Sequence, residues 1–143
     1  MTGASEGATL AGALVRLAHL VQRIFSEVSR NHDLTPQQAQ LLCLLIDGPV
    51  GMGELSRTLN LEKSSLTGLV DRIERRGLAA RTRDSCDRRA CQIALTDEGI
   101  RLANKSHRDV IARVEALAAE LSSADREMLI SSTAKFDGLA ART

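Results

Sequence analysis

From Leu10 to Val28 the apolar residues Leu10, Leu14, Leu17, Val21, Ile24 or Phe25, and Val28 recur at steps of three and four. That spacing sets them along one stripe of a long helix. A second helix is announced by Thr35-Pro36-Gln37-Gln38. Thr35 caps it, Pro36 suits a first helical position that needs no amide donor, and Gln38 completes a capping box. It ends near Gly48-Pro49. Gly53 to Leu59 then reads as a short helix, Asn60 and Leu61 as a turn, and about Glu62 to Arg76 as a further helix stopped by Gly77. Leu55, Leu59, Leu61, Leu66, Leu69, Val70 and Ile73 supply the inward face of this pair. The polar face of the later helix carries Lys63, Ser64, Ser65, Thr67, Gly68, Asp71, Arg72 and Arg75. This arrangement predicts a helix-turn-helix.

After Gly77 the period changes. Leu78 to Arg83 and Ala90 to Leu95 read as two short strands around a polar tip, Asp84-Ser85-Cys86-Asp87-Arg88-Arg89, which is a hairpin wing. Thr96-Asp97-Glu98 offers a cap and an acidic first turn for another long helix, with Ile100, Ala103, Val110 or Ile111, Val114, Leu117 and Leu121 on one side. That helix runs to about Leu121. Ser122-Ser123-Ala124-Asp125 starts a last one, Arg126 to Leu139. The fold class is therefore mainly α with a small β-hairpin wing. It is a winged helix-turn-helix, residues 34–97, between helices at 1–33 and 98–143 that form with it one intertwined domain. The terminal helices carry stripes that the central unit cannot cover, so they predict a homodimer joined through its ends.

Composition narrows the function. The 143 residues carry 19 Lys plus Arg against 18 Asp plus Glu, a net charge of +1, so no field over the whole chain marks a polyanion binder. The positive charge is local. Between Arg72 and Arg89 seven arginines face Glu74, Asp84 and Asp87, an excess of four positive charges. Guanidinium groups suit phosphate because they stay charged and present a rigid donor fork. Only Phe25 and Phe136 are aromatic, which argues against base-stacking platforms. No apolar run reaches the roughly eighteen residues of a membrane span. The opening MTGASEGATL lacks the basic start and apolar stretch of a secretion signal. It reads as a frayed end, and the chain as cytoplasmic.

Taken together, LTPQQAQLLCLL, GELSRTLNLEKSSLTGLVDRIERRGLAAR, Asp87-Arg88-Arg89 and LTDEG at Leu95 to Gly99 resemble the MarR-type winged-helix transcriptional regulators. The resemblance spans Leu34 to Gly99, nearly half the chain, in order. It implies an obligate homodimer, most often a repressor, whose helix from about Glu62 to Arg76 enters the major groove of double-stranded DNA. Lys63, Ser64, Ser65, Thr67 and Gly68 then lie at the groove, the last four facing base edges. Arg72 and Arg75 contact base edge or phosphate, and Arg83, Arg88 and Arg89 belong to the wing's DNA face. Asp87 shapes the wing by pairing with Arg89 while Arg88 takes the minor groove or backbone, or the two arginines exchange these roles. Thr35 and the amides after it either meet a phosphate or form a plain cap. Two-fold symmetry implies an inverted-repeat operator with half-sites about ten base pairs apart.

Such a regulator also implies a switch. A small anionic or phenolic effector has a candidate site in Arg16, His19 and Arg23, spaced by three and four on the first helix; the plain alternative is a solvated helix face. A second reading is redox control through Cys86 and Cys91, which bracket the wing tip and need alpha carbons about 4.4 to 6.8 Å apart to bridge. A third is a winged-helix interaction module with no DNA target. Cys43 reads as a small buried hydrophobe. His19, His32 and His107 are far apart with no Cys-x-x-Cys, so neither metal nor other cofactor is expected. No phosphate loop, His-Glu-x-x-His or nucleophile elbow points to an enzyme. Ser64-Ser65 beside Lys63 fits groove contact better than acyl transfer.

Overall fold

The first helix, α1 (Leu10–Asn31), is capped by Thr9, whose hydroxyl accepts from the Gly12 amide at 3.0 Å. It buries only its C-terminal part, where Ile24, Val28 and Ser29 are inside while Leu10, Leu14, Val15 and Leu17 face solvent. The computed structural model describes residues 9–84 and 87–140, apart from the side chains of residues 83–90 and 140. Ser29 is buried without cost because its hydroxyl donates to the Phe25 carbonyl at 2.6 Å. Asp33, in the left-handed region at φ 57°, turns the chain into the next helix.

That helix, α2 (Pro36–Leu45), opens on the complete capping box expected from the sequence: Gln38 N donates to the Thr35 hydroxyl and Thr35 N to Gln38 Oε1, both at 3.1 Å. Then come β1 (Val50–Gly51), α3 (Met52–Leu59), α4 (Lys63–Arg75), β2 (Ala79–Asp84), β3 (Asp87–Leu95), α5 (Asp97–Leu117) and α6 (Ser123–Ala140). The sheet has three antiparallel strands in the order β1-β3-β2. The two-stranded expectation missed β1, where Val50 pairs with Ile93 and Gly51 with Gln92. Two residues are too few to show a period of two, and only the open edge of β3 makes them a strand. β3 also starts at Asp87 rather than Ala90, since Asp87-Arg88-Arg89 has no apolar alternation to announce a strand. Helices α5 and α6 meet near Leu121 through a turn in which Ser122 Oγ accepts from Asp125 N at 3.1 Å.

The chain divides into two compact units, Met1–Val110 and Ile111–Thr143. The first holds the core: Leu34, Leu41, Leu42, Leu45, Leu55, Leu66, Leu69, Val70, Ile73, Leu78, Ile93 and Ala103 pack together. Leu59 and Leu61, also expected inside, are half-buried at its margin. In the second unit Arg126 ties the helical hairpin, bonding the Ala118 carbonyl at 3.0 Å and Glu115 Oε2 at 2.5 Å. Its large apolar side chains, among them Met128, Ile130 and Phe136, are exposed. No helix among the described residues is long and apolar enough to cross a membrane.

Candidate nucleic-acid interface

Helices α3 and α4 are set by a turn that the sequence announces. Asn60 takes the left-handed conformation at φ 52°, which an asparagine adopts at small cost. Leu61 N donates to the Ser56 carbonyl at 3.0 Å and Ser56 Oγ to the Leu61 carbonyl at 2.5 Å, closing the turn from both sides. Beyond it, α4 buries Leu66, Leu69, Val70 and Ile73 and turns its remaining positions outward.

Those outward positions are the expected ones. Lys63, Ser64, Ser65, Arg72 and Arg75 are exposed, and Thr67 and Gly68 half-buried. Thr67 Oγ1 donates to the Lys63 carbonyl at 2.8 Å, so its proton is used and only its lone pairs remain for a ligand. A Cβ built on Gly68 meets nothing within 4 Å. Packing within the chain therefore gives no reason for glycine there. Arg72 and Arg75 form no ion pair among the described residues.

One arginine of the basic run behaves differently. Arg81, on β2, reaches Asp71 Oδ1 at 2.7 Å and Glu74 Oε1 at 2.5 Å, both on α4. The hydrogen bond to Asp71 raises its pKa further, partial burial works against it, and the charges of Glu74 and Asp71 reinforce it. The guanidinium thus clamps β2 to α4, and its charge is paired within the protein. The spacing of Asp71 and Glu74 by three on one helix face was the available signal. Arg76 is engaged as well, but by a neutral acceptor, the Asp33 carbonyl at 2.6 Å, so its charge is not cancelled. The local excess of positive charge thus comes from Arg72, Arg75, Arg76 and the wing.

In the wing, Arg83 lies opposite Cys91 and Asp84 opposite Asp87, with an irregularity between Arg83 and Asp84. The side chains of Arg83, Asp87, Arg88 and Arg89 lie outside the described residues, as does Cys86. Cys91 is half-buried against the core, its Sγ 4.0 Å from the Gln92 carbonyl. Cys43 is a free thiol of α2, and burial pushes its pKa up, which keeps it protonated. Thr35 lies apart from α4's polar face in the chain and engages its hydroxyl and amide in the cap. Arg16, His19 and Arg23 are exposed along α1. Among the described residues no group of three or more His, Cys, Asp or Glu is placed to hold a metal.

Comparison with known proteins bears on what this face meets. A family model described as the MarR family matches residues 32–90. The chain is 27% identical over 118 residues to the homoprotocatechuate degradative operon repressor of Escherichia coli, covering 82% of this chain and 80% of that protein. Its fold matches the transcriptional repressor CouR bound to a 23-mer DNA duplex, with a TM-score of 0.72 and 30% identity over 90% of this chain and 92% of that one. It also matches NadR in complex with 4-hydroxyphenylacetate, with a TM-score of 0.71 and 25% identity over 90% and 92%.

Proposed function

The chain belongs to the MarR family of DNA-binding transcriptional regulators, and on that premise we propose that it is a homodimeric repressor of an inverted-repeat operator, released by a small effector. The family consists of regulators and not enzymes. The observation that carries the reading is the free polar face of α4, with Arg72 and Arg75 unpaired among the described residues and Gly68 bare of any packing reason. CouR, of the same fold, is bound to a DNA duplex.

In this reading α4 enters the major groove, with Ser64, Ser65, Thr67 and Gly68 against base edges and Lys63, Arg72 and Arg75 on phosphate or base. Arg83, Arg88 and Arg89 of the wing take the adjacent minor groove or backbone, with Asp87 shaping the tip. Thr35 caps α2, and the helix N-terminus that it opens offers backbone donors to a phosphate. The apolar side chains left in solvent support the dimer: Leu10 is 73% exposed and Ile130 71%. Apolar surface of this kind on a soluble chain marks an interface. The complex of NadR with 4-hydroxyphenylacetate, a phenolic anion, supports an effector of that class here, with Arg16, His19 and Arg23 as its candidate cations. Release then requires that the effector bind the two dimer states with different affinity.

The test is fluorescence anisotropy of the purified protein on DNA flanking its own gene, over a salt series with competitor. Two chains per site and a preference of about a thousandfold or more over competitor are expected. Weak binding indifferent to sequence and steeply salt-dependent would reduce the face to a basic patch.

A further inference from the structure

One hollow lies within the winged unit itself. It has a volume of about 460 Å³ and opens where the first turns of α3, the start of α4 and β3 meet. Among the described residues Met52, Gly53 and Ser56 of α3, Lys63 and Leu66 of α4, and Cys91 of β3 line it. Pockets that hold small molecules commonly span about 300–1,000 Å³, so its size suits a ligand. The walls are mainly apolar: Leu66 is buried, and half-buried Met52 and Cys91 pack against the core. The Ser56 hydroxyl gives its proton to the Leu61 carbonyl, and the Cys91 thiol makes a long contact of 4.0 Å with the Gln92 carbonyl. Lys63 is the one charged group among the described lining residues, and it is exposed.

Gly53 keeps the hollow open. A Cβ built there meets Nη1 of Arg57 at 3.9 Å and nothing closer, so packing does not demand glycine, and a longer side chain would take up the space. Apolar walls reward the burial of an uncharged body. An anion would gain one ion pair with an exposed lysine, which water screens, and would lose hydration against Met52 and Leu66. The sulfurs of Met52 and Cys91 are polarizable and favour the edge of an aromatic ring, and an ammonium is attracted to the face of one. We infer that this hollow is a binding site for a small uncharged aromatic molecule of one or two rings. The ring lies against Met52 and Leu66, over the bare backbone of Gly53, with Cys91 at its edge and Lys63 over its outer face.

Lys63 belongs to two surfaces. It lines the hollow and is the first residue of α4, on the polar face proposed to enter the major groove. An ammonium held over a ring is withdrawn from DNA, so ligand and operator compete for it. A ligand here therefore acts on the DNA-reading helix directly, apart from the cations of α1. This competition rests on the DNA-binding reading; the binding itself does not.

Titration calorimetry of the full chain with indole, which is uncharged near neutral pH, tests the site, with cyclohexanol as the non-aromatic control. Gly53→Leu fills the hollow. Leucine favours a helix over glycine, so the ligand-free unfolding midpoint of this variant should be no lower than that of the wild type. Saturable binding of one indole per chain is expected, weaker by about tenfold or more in Gly53→Leu and absent for cyclohexanol. A second measurement needs no variant: brief alkylation with N-ethylmaleimide, read on tryptic peptides, reports Cys91 on the peptide Ala90–Arg101 and Cys43 on another. Indole should slow the labelling of Cys91 severalfold and leave that of Cys43 unchanged. No saturation at millimolar indole, equal binding by wild type and Gly53→Leu, or labelling of Cys91 at the same rate with and without indole overturns the inference. Operator binding is measured alongside, and indole should raise the operator dissociation constant of the wild type. Unchanged operator affinity with indole bound would refute the shared use of Lys63. Indole binding by a chain with no specific DNA target would instead sink the repressor reading and leave the site standing.

Discussion

A Cβ on Gly99 would lie 1.9 Å from the carbonyl oxygen of Leu78. Gly99 is in the first turn of α5, and only a residue without a side chain lets that turn rest on the backbone leading from α4 into the wing. Thr96 completes the joint: its hydroxyl donates to the Gly77 carbonyl at 2.6 Å and accepts from Gly99 N at 3.1 Å. Gly99→Ala is therefore expected to cost about 1–3 kcal/mol or more, the range for forcing a methyl into filled space. Urea unfolding at fixed protein concentration checks this, and an unchanged midpoint would mean that α5 docks elsewhere.

Arg81 offers a test of whether the wing and α4 act as one body. Its side chain is 37% exposed and those of Asp71 and Glu74 are 40% and 29% exposed, so water screens the pairs. Arg81→Ala should thus lower stability by no more than about 1 kcal/mol. Its effect on operator affinity should be larger, about tenfold, because the clamp fixes the wing against the helix whose groove contacts it accompanies. Asp71→Asn should reproduce most of that loss, and the two changes together should fall short of their sum. Wild-type affinity in Arg81→Ala would show that the register holds without the clamp.

Thr67 has a definite polarity. With its proton committed to the Lys63 carbonyl, it presents acceptors, and the major groove offers donors only at the amino groups of adenine and cytosine. Thr67→Val keeps the shape and removes the acceptor. We expect a loss of about 1–3 kcal/mol confined to operators with an amino group at the contacted position. Arg72→Ala, by contrast, should weaken binding on all sequences and lower the salt slope by about one. A uniform loss for Thr67→Val would count against base reading.

The helix-turn-helix was legible because each of its parts has a local cause: a capping box at Thr35 and Gln38, an asparagine at the turn, and leucines at helical spacing. The wing was half legible. Alternation showed the apolar parts of β2 and β3, whereas β1 exists only through its partner Ile93, forty-three positions away in the chain. The basic run was overcounted as a surface for the same reason. Asp71 and Glu74, three apart on one helix face, show where a cation can pair, but nothing along the chain says that Arg81 takes that place while Arg75 faces solvent. Gly99 stood in the motif that carried the family resemblance, but its contact with Leu78 spans twenty-one positions and leaves no periodic trace.

Gly68 separates folding from function most cleanly. Glycine inside a helix costs about 1 kcal/mol relative to alanine, and nothing in the chain lies within 4 Å of the Cβ that alanine would add. On packing alone Gly68→Ala should raise stability by about that amount. If the backbone at Gly68 approaches a base edge or phosphate as closely as the exposed face allows, the same methyl must be accommodated by DNA, and operator affinity should fall by about tenfold or more. Opposite signs for the two measurements, denaturant midpoint and operator dissociation constant, are the expected outcome. A rise in stability with unchanged affinity would place the centre of α4 clear of the groove and shift base reading to Ser64 and Ser65 at its start.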